Sequence, residues 1–117
     1  MSRDGKKKGA IFLDRDGVIN RAIVKNDKPY APIKLKNFHF YKDLDQYLKI
    51  LSKKFFLFIV TNQPDLSQGI QTFQEINKIN EYLLNHYFIN EISMCIHTKF
   101  QNCKCRKPKN YFYKYLL

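Results

Sequence analysis

AIFLDRDG, residues 10–17, is the stretch that decides the architecture of this chain. The run Ala10–Leu13 is apolar at every position, which is typical of a strand buried on both faces of a parallel sheet. Asp14 and Asp16 follow it directly, and Gly17 lets the backbone turn away. The stretch therefore predicts a buried strand whose carboxyl end carries two acidic side chains.

Further along the chain the apolar pattern alternates between helix and strand. Residues 44–51 place their apolar side chains at helical spacing, and Asp43 precedes them as the expected N-cap. Thr72 and Glu75 form a capping box before another amphipathic stretch. Residues 15–40 contain several breakers and predict turns or a small hairpin. The predicted order is a strand at 10–13, a helix at 44–51, a strand at 55–60, a helix at roughly 72–87 and a strand at 94–96.

This alternation predicts an α/β fold, a Rossmann-like parallel sheet with flanking helices and right-handed crossovers. We expect a flexible N-terminus over residues 1–9 and a single domain over residues 10–117. In such sheets ligands bind at the carboxyl ends of the strands. Each predicted strand ends in a polar segment, which places the candidate site at that edge.

Composition limits the classes of protein that the chain can represent. Its 117 residues suffice for one core, and its longest apolar run, residues 55–60, is too short to cross a membrane. The net charge of +11 is compatible with binding of nucleic acid, binding of an anionic membrane surface, or steering of a phosphorylated substrate. It is equally compatible with an AT-rich genome that enriches solvated positions in lysine. Because the longest apolar run is so short, we expect no membrane partner. We expect a cytoplasmic location, because the cysteines cluster in a metal-binding pattern that favours a reduced compartment.

Asp14 and Asp16 are the candidate catalytic residues. One carboxylate of such a pair can act as a nucleophile and the other as a general acid and base, with Mg²⁺ neutralising the cluster. Taken alone, Asp-x-Asp-Gly is a weak signal and is more typical of a solvated turn. Thr61 and Asn62 offer a hydroxyl and an amide to a phosphate oxygen, although an ordinary strand-to-loop junction has the same composition.

A zinc loop is predicted over residues 95–105. Three thiolates and one imidazole within eleven residues can surround a tetrahedral Zn²⁺ and leave no position open for catalysis, which indicates a structural site. The alternative is a group of buried thiols beside a chance histidine. The loop would also fix the cations of Arg106 and Lys107, which could neutralise a phosphoryl group. The predicted zinc ligands are Cys95, His97, Cys103 and Cys105.

Three segments, FLDRDGVIN, VTNQ and CRKP, resemble the haloacid dehalogenase superfamily in their order and spacing. Within it the chain is similar to small zinc-loop phosphatases of the heptose 1,7-bisphosphate and histidinol phosphate type. The resemblance implies that Asp14 becomes an aspartyl phosphate and that Asp16 protonates the leaving group and then activates water. It also implies Mg²⁺ held by Asp14 and the backbone carbonyl of Asp16. The implied phosphate-binding residues are Thr61, Asn62, Arg106 and Lys107.

One departure from that family concerns the C-terminal region. The family pattern has a further Gly-Asp acidic motif after an additional strand, whereas no carboxylate follows Glu91 here. We therefore expect a truncated domain that lacks C-terminal strands and the third Mg²⁺ ligand. The DGVIN form of the first motif and the TNQPD form of the second resemble the heptose bisphosphate branch more than the histidinol phosphate branch. The alternatives are an impaired, zinc-stapled fragment that associates through its incomplete sheet, and a nucleic-acid binder, which the acidic motif disfavours.

Overall fold

The computed structural model describes residues 7–63, 65 and 68–95. Strands and helices alternate in these residues, as the periodicity predicts. A 3₁₀ turn, Leu35–Asn37, lies before the first α-helix. The strands are β1 (Ala10–Leu13), β2 (Ile23–Lys25), β3 (Lys28–Tyr30), β4 (Phe56–Asn62) and β5 (Glu91–Cys95), and the helices are α1 (Leu44–Ser52) and α2 (Phe73–His86).

The main sheet is parallel, with β4 between β1 and β5. Leu13 at the end of β1 pairs with Ile59, and Cys95 at the end of β5 pairs with Asn62. The carboxyl ends of all three strands therefore lie at one edge. The predicted α/β fold and the shared edge are both confirmed.

The excursion after β1 contains a small antiparallel hairpin, β2–β3. Its turn residues, Asn26 and Asp27, have φ values of 50° and 60°. A two-residue turn with positive φ at both positions matches the right-handed twist of the strands it joins, and Asn and Asp tolerate that conformation. The hairpin therefore follows from local sequence chemistry.

The core forms where α1 and α2 pack against β4. Leu57 and Ile59 of β4 and Ile79 and Leu83 of α2 are fully buried, and Leu48 of α1 is nearly so. Each such side chain contributes on the order of 2 kcal/mol when it leaves water. This packing fixes β4 in the core, and β4 carries Thr61 and Asn62 at its end.

The two predicted N-caps have different outcomes. The Thr72 hydroxyl accepts a hydrogen bond from the Glu75 amide at 3.2 Å, so the cap of α2 is confirmed. Asp43 precedes α1 but has a left-handed backbone, with φ 65°, and its side chain makes no capping bond. A capping side chain needs extended backbone at that position, so the prediction for Asp43 is wrong.

The strand boundaries differ from the predicted ones at the site edge. Thr61 and Asn62 belong to β4, because they pair with Met94 and Cys95 of β5. β5 begins at Glu91 instead of residue 94. Parallel pairing extends both strands through polar residues that periodicity alone assigns to loops.

No helix among the described residues is long and apolar enough to cross a membrane.

The predicted domain limits are only partly covered by the described residues. Residues 1–6 lie outside them. Within the expected flexible segment, the Lys8 amide donates to the Lys54 carbonyl at 2.6 Å, and the Lys7 ammonium donates to the Ser52 carbonyl. These bonds join residues 7 and 8 to the last residue of α1 and to the connection that follows it. The division into residues 1–9 and 10–117 stays a prediction.

Candidate active site

The candidate site lies at the carboxyl edge of the sheet, where the chain leaves β1. Asp14 is exposed immediately after Leu13. Asp16 is recessed, with a side chain 20% exposed. Thr61 is buried and Asn62 is half-buried at the end of β4. The fold thus brings the two predicted pairs, one acidic and one phosphate-binding, to neighbouring strand ends.

Asp16 is held by three side chains that all donate to its carboxylate. Arg15 contributes Nη2, at 3.1 Å from Oδ1 and 3.2 Å from Oδ2, and Nε at 3.2 Å from Oδ1. Asn20 donates from Nδ2 to Oδ1 at 3.0 Å. Gln63 donates from Nε2 to Oδ2 at 2.6 Å. The carboxylate is therefore fixed in orientation, as an acid–base group requires.

Arg15 is almost completely buried, with 1% of its side chain exposed. Its guanidinium lies 5.1 Å from the centre of the Phe38 ring, within the range of a cation–π contact. Burial lowers the pKa of Arg15 from its ordinary value, and the charge of Asp16 opposes this shift. Arginine remains charged even so, and it supplies a buried positive charge beneath the site.

The sequence motifs assign no separate role to Gln63, yet it connects the two halves of the site. Its Nε2 donates to the Thr61 hydroxyl at 2.8 Å as well as to Asp16. Its backbone amide donates to the Cys95 carbonyl at 2.6 Å. Thr61 and Gln63 are two residues apart, and residues at that spacing face the same side of an extended strand. That spacing was the signal that could have identified Gln63.

The turn after β1 brings Asn20 back to Asp16. Gly17 has a φ of 92°, a conformation that favours glycine, and its amide donates to the Asn20 carbonyl at 2.7 Å. Asn20 is fully buried, and its Oδ1 has no hydrogen-bond partner in the structure. The predicted role of Gly17 as the turning point is confirmed.

Two adjoining pockets open at this edge. One, of about 370 Å³, is lined by Asp16, Asn62 and Gln63 together with residues of the hairpin. The other, of about 610 Å³, extends along the hairpin. Three residues line both pockets and so form their common wall: Tyr30, Ala31 and Asp65.

Asp65 is the acidic group of this common wall. Partial burial and the nearby charge of Asp16 raise its pKa above the ordinary value of 3.8, while Arg15 lowers it. Neither Asp65 nor Tyr30 was singled out from the sequence. No local pattern marks them, because the hairpin and the connection after β4 meet only in the folded chain.

Only some of the predicted metal ligands, Asp14, Asp16 and Cys95, are among the described residues. The carboxylates of Asp14 and Asp16 are hard oxygen donors of the type that Mg²⁺ prefers, so the donor set fits that ion. Among residues 7–63, 65 and 68–95, no three His, Cys, Asp or Glu side chains form a metal-binding group. Cys95 is buried at the end of β5. The other predicted ligands and cations lie outside the described residues: His97, Cys103, Cys105, Arg106 and Lys107.

Comparisons with known proteins agree with this geometry. No protein-family model matches the chain. It is 36% identical over 107 residues to the D-glycero-beta-D-manno-heptose-1,7-bisphosphate 7-phosphatase of Helicobacter pylori, an alignment covering 86% of this chain and 58% of that enzyme. It is 35% identical over 109 residues to the D-glycero-alpha-D-manno-heptose-1,7-bisphosphate 7-phosphatase of Campylobacter jejuni, covering 88% and 59% respectively.

A solved structure has the same fold. It is a D,D-heptose 1,7-bisphosphate phosphatase from B. bronchiseptica complexed with magnesium and phosphate, with a TM-score of 0.76. The match covers 92% of this chain and 61% of that chain, at 24% sequence identity.

The fold, the paired aspartates and these relatives together define a class. The chain is a homologue of the phosphatases of the haloacid dehalogenase type. Its curated relatives within that class are heptose 1,7-bisphosphate 7-phosphatases, and the chain spans about 58% of the length of the Helicobacter pylori enzyme. The resemblance inferred from FLDRDGVIN and VTNQ is confirmed.

Proposed function

We propose that this chain carries the catalytic aspartates of a Mg²⁺-dependent phosphatase. The substrate is a small phosphorylated sugar, D-glycero-D-manno-heptose 1,7-bisphosphate, and the bond broken is the ester at position 7. The observation that carries the proposal is the juxtaposition of Asp16 and Asn62 in one pocket of about 370 Å³. The names of the relatives support the choice of substrate over histidinol phosphate.

In this mechanism Asp14 is the nucleophile. A carboxylate oxygen of Asp14 forms a bond to phosphorus, and the bond from phosphorus to the sugar oxygen breaks. Asp16 donates a proton to that departing oxygen. A water molecule then attacks the aspartyl phosphate, Asp16 accepts the proton from it, and phosphate leaves with the Asp14 carboxylate regenerated.

The exposure of Asp14 and the restraint of Asp16 suit these different roles. A nucleophile must reach the substrate, and Asp14 is exposed at the end of β1. A proton donor must keep one orientation, and the Asp16 carboxylate accepts hydrogen bonds from Arg15, Asn20 and Gln63. Proton transfer by a positioned group contributes roughly 10² to 10⁴ in rate.

The transferring phosphoryl group also needs positive charge and hydrogen-bond donors. When bound by Asp14 and the Asp16 carbonyl, Mg²⁺ supplies electrostatic stabilisation of the phosphate oxygens. Thr61 and Asn62 donate to those oxygens. We assign Arg106 and Lys107 the remaining cationic contacts, on the resemblance of the CRKP segment alone.

We also propose that Cys95, His97, Cys103 and Cys105 hold one structural Zn²⁺. The spacing of the ligands supports this assignment, and Cys95 is the end residue of the strand beside Asn62. Zinc bound there would fix the loop that carries Arg106 and Lys107 against the phosphate site. A cytoplasmic location fits these reduced thiols.

Substitution of the nucleophile tests the proposed reaction. Phosphate release by the chain with Mg²⁺ and Zn²⁺ is measured on heptose 1,7-bisphosphate and on histidinol phosphate. Asp14→Asn should lower release by at least about 10³-fold, because an amide cannot form the covalent intermediate. Asp27→Asn, a matched change at an exposed hairpin carboxylate, should leave it unchanged. Full activity of Asp14→Asn, or no release by the unaltered chain, would contradict the proposal.

A further inference from the structure

The amino ends of the parallel strands form an edge of the sheet opposite to the phosphate pocket. Ala10 pairs with Phe56 there, and Glu91 pairs with Phe58. The seven residues of β4 separate this amino edge from the site edge by about 20 Å. A ligand bound at the amino edge therefore leaves the catalytic aspartates accessible.

Four lysines meet at the amino edge. The Lys8 amide donates to the Lys54 carbonyl at 2.6 Å, and the Lys7 ammonium donates to the Ser52 carbonyl. These bonds bring the first described residues against the end of α1. Lys8, Lys53 and Lys54 are exposed, and Lys7 is half-buried. The four lysines therefore form one basic region that a distant segment of the chain completes.

Two exposed aromatic rings lie beside Lys7. Phe56 is 44% exposed, and the centre of its ring lies 6.0 Å from the Lys7 ammonium. Phe88 is 47% exposed and lines a cavity of about 310 Å³ together with Lys7. The amino edge thus combines positive charge with aromatic faces, the two components of surfaces that hold single-stranded nucleic acid.

The cavity beside Phe88 has the groups that a planar base requires. Aromatic rings provide a stacking face, and an amide can pair with the edge of a base. The Asn90 Oδ1 accepts from the Leu57 amide at 2.8 Å, which fixes this side chain and leaves its Nδ2 to donate to a ligand. The cavity is lined by Lys7, Ser52, Tyr87, Phe88, Ile89 and Asn90.

The balance of charge at the amino edge favours a polyanion. Two carboxylates act against the lysines: Glu91 follows Asn90 in the chain, and the charge of Asp45 acts on Tyr87. Four lysines outnumber these two carboxylates, so the surface stays positive. A nucleic acid gains affinity on such a surface because each phosphate contact releases condensed counterions. A base can enter a cavity of about 310 Å³, whereas a bilayer cannot.

We propose that the amino edge of the sheet binds single-stranded nucleic acid. One base stacks on Phe88 in the cavity, and Lys7, Lys8, Lys53 and Lys54 contact the neighbouring phosphates. Such contacts recognise the backbone and a π-face, so binding has little dependence on base sequence. This inference goes beyond the proposed phosphatase function and does not depend on it, because no group of the phosphate site takes part.

The first test compares two pairs of lysines. Binding of labelled oligothymidylate and oligouridylate, each of about 15 nucleotides, is measured by fluorescence anisotropy at several salt concentrations. Lys53→Ala combined with Lys54→Ala should weaken binding by about tenfold and reduce the slope of log K against log salt by about 1.4. Lys25→Ala combined with Lys28→Ala removes the same charge from the hairpin and should weaken binding by less than about twofold.

The second test concerns the stacked base. Phe88→Ala should weaken binding by at least about fivefold, because a base loses its aromatic partner. Phe73→Ala removes a ring that is 65% exposed at the start of α2 and should leave binding unchanged. Phe88→Trp keeps an aromatic face and should retain the affinity. Phosphate release should be the same in the parent chain and in the variant that lacks Lys53 and Lys54.

Four outcomes would overturn the proposal. They are absence of oligonucleotide binding by the parent chain at low salt, equal losses from the two lysine pairs, equal losses from Phe88→Ala and Phe73→Ala, and a binding constant insensitive to salt. Vesicles of phosphatidylglycerol are the competing polyanion. Tighter binding to these vesicles than to either oligonucleotide, with the same dependence on Lys53 and Lys54, would assign the surface to a membrane instead.

Discussion

Gln63 joins the acid–base residue to the phosphate-binding strand, and its effect can be isolated. Its buried Nε2 donates to both Asp16 and Thr61. Gln63→Leu removes both bonds and leaves buried acceptors, a cost of about 1–3 kcal/mol. We expect phosphate release to slow by roughly 10- to 100-fold with a small change in KM.

The dependence on leaving group distinguishes positioning from general damage. An alkyl phosphate needs a proton on its departing oxygen more than an aryl phosphate does, so the loss should be larger for the sugar phosphate. Gln71→Leu is the matched control, because Gln71 is equally buried but donates to the Ile33 carbonyl at 2.8 Å. Equal losses for both substrates, or the same loss in the control, would refute the assignment.

Asp65 should give the chain a specific pH dependence of stability. Partial burial and the charge of Asp16 raise the pKa of Asp65 above 3.8 in the folded state. Between the ordinary and the raised pKa the folded chain binds more protons than the unfolded chain, so stability falls as pH rises through that window. The penalty persists at neutral pH.

Replacement of this carboxyl by an amide should remove the penalty. Asp65→Asn is expected to raise the melting temperature at pH 7, and the difference should shrink as the pH falls toward 3.8, where the parent is protonated too. Asp27→Asn, at an exposed turn position, serves as the control. A lower melting temperature for Asp65→Asn at pH 7 would contradict a destabilising burial of this carboxylate.

At the scale of elements, substitutions at the N-terminal ends of the two helices should have different effects on the free energy of unfolding. Thr72→Ala removes the bond to the Glu75 amide and should lower the free energy of unfolding by about 1 kcal/mol. Asp43→Asn should change it by a few tenths at most, because Asp43 makes no capping bond and Asn tolerates its left-handed backbone. Urea denaturation measures both. Thr72→Ser keeps the hydroxyl and should retain stability, and a larger loss from Asp43→Asn would contradict the cap geometry.

At the scale of the whole molecule, the proposed zinc site ties the end of β5 to the residues that follow it. Protein purified without chelator should contain one zinc ion per chain by elemental analysis, and chelation should lower its melting temperature. His97→Ala should reduce zinc content, whereas His39→Ala, at an exposed histidine outside the cluster, should preserve it. A zinc-free chain with unchanged stability would refute the site.

The elements of this fold were largely predictable because their signals are local. Ala10–Leu13 forms a strand of the parallel sheet as its unbroken apolar run predicts, although its side chains are half-buried and not buried on both faces. Thr72 caps α2 as its spacing from Glu75 predicts. Asp43 shows the limit of that reasoning. Its residue type suits a cap, but its left-handed backbone, with φ 65°, prevents it.

By itself the sequence determined the class of fold, the acidic motif after β1 and the polar pair at the end of β4. Apolar periodicity and short sequence spacings encode these features. Because such signals are local, they do not depend on how the helices and strands pack together. Only the tertiary structure decided that the Gln63 amide donates a hydrogen bond to Asp16, and that Lys25, Tyr30 and Asp65 line one pocket. Those contacts join residues far apart in the chain, and they depend on the crossovers and packing that bring β1, the hairpin and β4 to one edge.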